Sequence, residues 1–158
     1  MKNRILMDTG PLVASLNRRD QYHSWTRDRL GELAPPLFTC EAVLAEACFL
    51  LRAIPGGSTA VLNLVERGVL RVEFEVSTHV KSLAVLMAKY SNIPISLADA
   101  CLVRMSELCE QSVLLTFDRD FLLYRRHGRQ TIPVLMPPDG ASSRRSQHSP
   151  DKPFDSRR

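Results

Sequence analysis

The sequence predicts an α/β domain built on a mainly parallel sheet. Short apolar runs alternate with helical segments, and the intervals between runs are long enough for crossover connections. With 158 residues, the chain has the length of one domain with a sizeable core.

Taken in order, Arg4–Met7 reads as a strand that ends at the turn Asp8-Thr9-Gly10-Pro11. Leu12, Val13 and Leu16 then give a short helix. A second helix runs from Ser24 to about Leu33, ahead of Pro35-Pro36. Leu37–Thr39 is a short strand. Glu41–Arg52 is apolar nearly all round, which predicts a helix buried in the core, broken by Pro55-Gly56-Gly57. Ser58–Arg67 is an amphipathic helix closed by Gly68, and Val69–Glu75 alternates as a strand does. Ser77–Tyr90 is a helix with Val80, Leu83, Ala84, Met87 and Ala88 on one face. Leu97–Glu110 is a second largely apolar helix, followed by strands at Val113–Thr116 and Ile132–Leu135. Past Pro137 little could be buried, so residues 1–137 are expected to form one domain and 138–158 a disordered basic tail.

Composition narrows the function classes. No apolar run reaches the ~18–20 residues of a membrane span, and the N-terminal apolar stretch is short for a signal peptide. A cytoplasmic protein is therefore expected. Cys40, Cys48, Cys101 and Cys109 form no Cys-x-x-Cys pair, and no His stands at zinc-ligand spacing from them, so they read as reduced, mostly buried thiols. The net charge of +4 permits a nucleic-acid partner without demanding one. With 6% aromatic residues, no base-stacking platform is evident.

Four acids stand out by position. Asp8 and Asp118 each follow a strand, at the edge where open α/β sheets bind ligands. Glu46 and Asp99 sit in apolar helical segments, where a carboxylate must be paired, protonated or bound to metal. Each also has a plain structural reading. Asp8 could cap a helix, Ser96-x-x-Asp99 is a capping-box pattern, Asp118 could cap a turn, and Glu46 could meet a cation from elsewhere in the fold. Two like charges ~4 Å apart cost about 4 kcal/mol at an effective dielectric of 20, so a gathered set calls for a cation. An all-oxygen set favours Mg²⁺ or Mn²⁺ over zinc.

The stretches Asp8-Thr9-Gly10-Pro11-Leu12-Val13-Ala14, Val43-Leu44-Ala45-Glu46, Leu97-Ala98-Asp99-Ala100 and Thr116-Phe117-Asp118-Arg119-Asp120-Phe121 together resemble the PIN-domain family. The closest group resembles the VapC-type toxins of toxin–antitoxin pairs. The resemblance spans roughly residues 3–136, a length typical of one domain. It implies a three-layer α/β/α sandwich and a Mg²⁺- or Mn²⁺-dependent endoribonuclease that hydrolyses RNA phosphodiester bonds. It also implies a homodimer and, for the toxins of type II pairs, an antitoxin protein that blocks the cleft. By position, Asp8, Glu46, Asp99 and Asp118 match the catalytic, metal-binding acids, with Asp120 as an additional or alternate ligand. Thr9, Thr116 and Arg119 are then expected at the substrate.

Other basic residues, among them Arg18, Arg19, Arg125 and Arg126, are open to two readings: phosphate contacts or a solvated surface. His23, His79 and His127 are expected in loops or at the surface. Three further function classes stay open: an RNA-processing nuclease without an antitoxin, a non-catalytic PIN-like binding domain, and a phosphatase using Asp8 as nucleophile. Against the last, Gly10 stands where the haloacid-dehalogenase pattern needs a second Asp.

Overall fold

The computed structural model describes residues 3–139. From residue 140 on, the expected tail lies outside the described residues.

The strand β1 (Arg4–Met7) has a buried C-terminal half and lies at the centre of a five-stranded sheet. Its neighbours are β2 (Leu37–Thr39) and β4 (Ser112–Leu115). Outside them lie β3 (Leu70–Val72) and β7 (Val134–Leu135), giving the order β3-β2-β1-β4-β7 with every pair parallel. The strands are short because a parallel strand buried on both faces needs only one apolar run. A separate antiparallel pair joins β5 (Arg125–Arg126) to β6 (Gln130–Thr131), an element not read in the sequence.

Six helices connect the sheet among the described residues: α1 (Thr9–Leu16), α2 (His23–Glu32), α3 (Glu41–Leu50), α4 (Gly57–Glu66), α5 (Val76–Lys89) and α6 (Leu97–Leu108). The chain steps outward from β1 through β2 to β3, then returns across to β4. Because such crossovers are right-handed, the two directions put α1–α4 on one face and α5–α6 on the other. Contacts follow that division, with α1 against α2, α3 and α4, and α5 against α6. This is the three-layer α/β/α sandwich. The strand order reverses between β1 and β4, the switch point at whose C-terminal edge doubly wound sheets bind ligands.

The core is aliphatic, with Leu6, Leu12, Val43, Leu51, Val61, Leu102, Leu114 and Leu115 almost wholly buried. Cys40 and Cys101 are buried among them, while Cys48 and Cys109 are half-buried and all four are free. No helix among the described residues is long and apolar enough to cross a membrane.

Two helical faces differ from the sequence expectation. The helix α3 buries Val43 and Ala47, but Phe49 is 61% exposed and Leu50 54%. It is a surface helix with an apolar outer strip, not a core helix. On α5 the inward positions are Leu83 and Leu86, whereas Val80, Ala84, Met87 and Ala88 face outward. Apolar residues occupy both sides of that helix, so periodicity alone could not choose between them. His79, expected in a loop or at the surface, lies on α5, is half-buried and stacks on Phe74, with ring centroids 4.8 Å apart.

Leu114 lies in the strand that joins β1 to β7 and is fully buried. Leu114→Ala should therefore lower the unfolding free energy by about 2–5 kcal/mol, read from urea denaturation.

Candidate active site

The first acid is placed by the sheet itself. Asp8 directly follows β1, and its backbone N–H donates to the Leu115 carbonyl of β4 at 3.0 Å. Thr116 directly follows β4, so Asp8 and Thr116 stand side by side at the switch point. The Thr116 hydroxyl donates to Asp8 Oδ2 at 2.6 Å and accepts from the Asp118 N–H at 3.0 Å. One buried hydroxyl therefore links the first acid to the fourth. Gly10 allows this approach, because a Cβ there would meet the Phe117 ring at 3.0 Å.

Thr9 makes the second link. Its N–H donates to Asp8 Oδ1 at 2.7 Å, and its hydroxyl donates to Glu46 Oε2 at 2.9 Å. Glu46, in the second turn of α3, is thus turned toward the start of α1. Asp99 completes a capping box at the start of α6. The Ser96 hydroxyl accepts from the Asp99 N–H at 3.0 Å, and Asp99 Oδ2 accepts from the Ser96 N–H at 3.1 Å. Asp118 caps a short 3₁₀ helix (Arg119–Leu122), with Oδ1 accepting from the Asp120 N–H at 2.9 Å. Each acid expected from the sequence is therefore anchored by at least one donor, and three also serve as helix caps.

These carboxylates lie near enough to raise one another's pKa. Asp8 is 6% exposed, and burial pushes its pKa up to about 6. The bonds from Thr116 and Thr9 pull it down, and the charges of Asp99 and Asp118 add to the rise. Asp99 is also raised, chiefly by burial, with Asp118 and Glu46 contributing. All four acids are thus linked through mutual repulsion. Among the described residues none of them, nor Asp120, forms an ion pair.

The donor chemistry is of the kind that hard divalent ions take. The donors are carboxylate oxygens, several of which take no hydrogen bond among the described residues, in a crevice that repels further negative charge. Among the described residues no three acid, histidine or cysteine side chains yet stand as a closed ligand set.

The side chains expected at the substrate divide. Thr9 and Thr116 are buried and spend their hydroxyls on Glu46 and Asp8, so they position carboxylates. Arg119 is exposed and pairs with Asp139 at 2.6 Å. Tyr124 carries no sequence signal of a role here. Its hydroxyl is buried without a partner among the described residues, and its pKa is raised by burial and by the charges of Asp99, Asp120 and Asp118. An aromatic residue six positions after Asp118 belongs to no motif, so only the fold reveals it.

Fold and site together define a doubly wound α/β domain with an acidic centre at its switch point. The chain belongs to the PIN-domain family, whose model matches residues 5–126. Among solved structures it is similar to VapC20 of Mycobacterium tuberculosis, described as a sarcin–ricin loop cleaving toxin. The TM-score is 0.67 at 21% identity, covering 73% of this chain and 91% of that one. That likeness shows the fold. No curated protein matches the sequence.

The raised pKa of Asp8 sets a sign for stability. Below the ordinary carboxylate pKa, folded and unfolded chains are both protonated at this residue, and its contribution is fully present. As pH rises through 6 the unfolded chain has already ionised, so the contribution is lost, at most about 3 kcal/mol. Asp99 acts in the same direction. Metal-free protein should therefore lose stability between about pH 4 and pH 7, and Asp8→Asn should flatten that slope, measured by denaturation in EDTA. Asn retains the capping geometry.

Proposed function

We propose that this chain is a divalent-metal-dependent endoribonuclease, using Mg²⁺ or Mn²⁺, and that it is the toxin of a type II toxin–antitoxin pair. The observation that carries the reading is the convergence of Asp8, Glu46, Asp99 and Asp118 from four separate stretches. Their mutual repulsion is offset by no cation among the described residues. Family membership supports nuclease chemistry, and the likeness to VapC20 supports an RNA substrate and a toxin role.

Asp8, Glu46, Asp99 and Asp118 would hold the ion, with Asp120 beside them as a further oxygen donor. A hard divalent ion at this place supplies charge neutralisation at a phosphodiester and favours ionisation of an attacking water. The protein's own part is orientation. Thr9 and Thr116 fix Asp8 from both sides, and Thr9 also sets Glu46. Ser96 sets Asp99, and the Asp120 N–H sets Asp118. The starts of α1 and α6 bring the positive ends of their helix dipoles to Asp8 and Asp99, which favours the ionised form. Hydrolysis then needs in-line attack on phosphorus and departure of the far oxygen along the crevice. A cytoplasmic location, a homodimer and an antitoxin that covers the crevice belong to the same proposal.

The test uses total RNA and tRNA with Mg²⁺ or with EDTA, and maps the cut ends. Wild-type protein should cleave only with the ion. Asp99→Asn should lower the rate at least about 100-fold while circular dichroism and unfolding stay near wild type. Mn²⁺ should raise the melting temperature of wild type, and by much less in Asp99→Asn. Metal-independent cleavage, or full activity in well-folded Asp99→Asn, would refute the assignment.

A further inference from the structure

On the outer face of α3, one turn beyond Glu46, stands Phe49. It is more than half exposed although it belongs to an apolar run. The Arg52 guanidinium lies over its ring at 3.9 Å from the centroid and is held there by a hydrogen bond from Nη1 to the Phe49 carbonyl at 2.7 Å. Glu46, Phe49 and Leu50 line one shallow groove. Leu50 is shared with a second groove, whose rim carries Arg18 and Arg19. The two grooves adjoin at Leu50, so a furrow runs from the turn of α3 that bears Glu46, past an arginine-backed aromatic ring, to two more arginines. None of the three arginines is buried, and none forms an ion pair among the described residues.

We infer that this furrow binds single-stranded RNA beside the cleavage point, with one nucleobase stacked on Phe49 and the flanking phosphates on Arg18, Arg19 and Arg52. The inference rests on the nuclease reading above and adds a place where the substrate is held.

Three physical features select this occupant. An exposed aromatic ring with a guanidinium fixed on it offers the π-surface and the cation that unpaired bases stack on. The furrow becomes more positive with distance from the carboxylates, so it suits a polyanion that must enter an acidic centre at one point only. One end of it lies at the turn of α3 that carries Glu46, so a strand lying in it is brought close to the candidate centre. A protein partner seeking the apolar strip would have to cover Arg18, Arg19 and Arg52, for which it would need acids of its own. Stacking also makes a nucleotide preference possible without hydrogen bonds to base edges, because bases differ in stacking strength.

The test uses the full chain in an Asp99→Asn background, so that bound RNA stays intact. The probe is a set of single-stranded oligoribonucleotides carrying 2-aminopurine at successive positions. One position should be quenched on binding. Phe49→Leu should remove that quench and weaken binding about tenfold, within the range for removal of one base–aromatic stack. Phe49→Trp should retain both. Arg18→Gln with Arg19→Gln should make binding less salt-dependent, the slope falling by about 0.7 for each phosphate that is no longer neutralised. Because Phe49 is exposed, melting temperatures should stay near wild type. RNA binding with unchanged affinity and quench in Phe49→Leu would overturn the inference alone. So would unchanged RNA binding together with dissociation of a dimer in sedimentation, which would make the face a protein interface. No RNA binding by any well-folded variant would overturn the nuclease reading, and this inference with it.

Discussion

Repulsion among carboxylates at one edge of the sheet is the constraint around which the rest of the structure is arranged. Nothing in a hydrophobic core favours gathering acids, and burial of Asp8 makes its ionisation costly. The fold offsets part of that cost locally. Asp8 accepts from two donors at short distance, and both donor residues also touch a second acid group or its backbone. The remaining repulsion is what a divalent ion would relieve. In this sense the site is a loaded arrangement whose stability and ligand affinity come from the same imbalance.

The sheet topology explains why these acids meet. Asp8 and Asp118 are distant in sequence, but β1 and β4 are neighbours in parallel register, with Met7 opposite Leu115. Any residue just past one strand therefore lies beside the residue just past the other. The return crossover from β3 to β4 then brings the start of α6, with Asp99, over the same edge from the opposite layer. The helix α3 meets α6 there, and this contact holds Glu46 within electrostatic reach of Asp99.

Much of this was legible in the sequence. Strand positions followed from short apolar runs, and the acids from charge placed where charge is costly. Less visible were features that depend on which side of an element meets a neighbour. The helix α3 is apolar on all sides, so its sequence cannot say that Phe49 faces outward. The helix α5 has apolar residues on both faces, and its buried face could not be read from spacing. The β5–β6 pair escaped notice because each strand is two residues long and its turn puts His127 at φ +49, a left-handed conformation uncommon for histidine. The targets of the Thr9 and Thr116 hydroxyls are tertiary facts, since a threonine beside an acid can face either solvent or the acid.

The plain structural readings of the acids and the functional one turn out to describe the same bonds. Asp8 caps α1, Asp99 closes a capping box and Asp118 caps the 3₁₀ helix, just as isolated local patterns would suggest. A cap uses one carboxylate oxygen and fixes the plane of the group. For Asp99 and Asp118, the other oxygen takes no hydrogen bond among the described residues. Capping is thus a means of orienting an acid at low entropic cost, because the helix start is already ordered. A site assembled from caps inherits its precision from secondary structure and needs few dedicated supporting side chains. It also explains why each motif looks ordinary alone: its chemistry arises only when the sheet places several helix starts around one crevice.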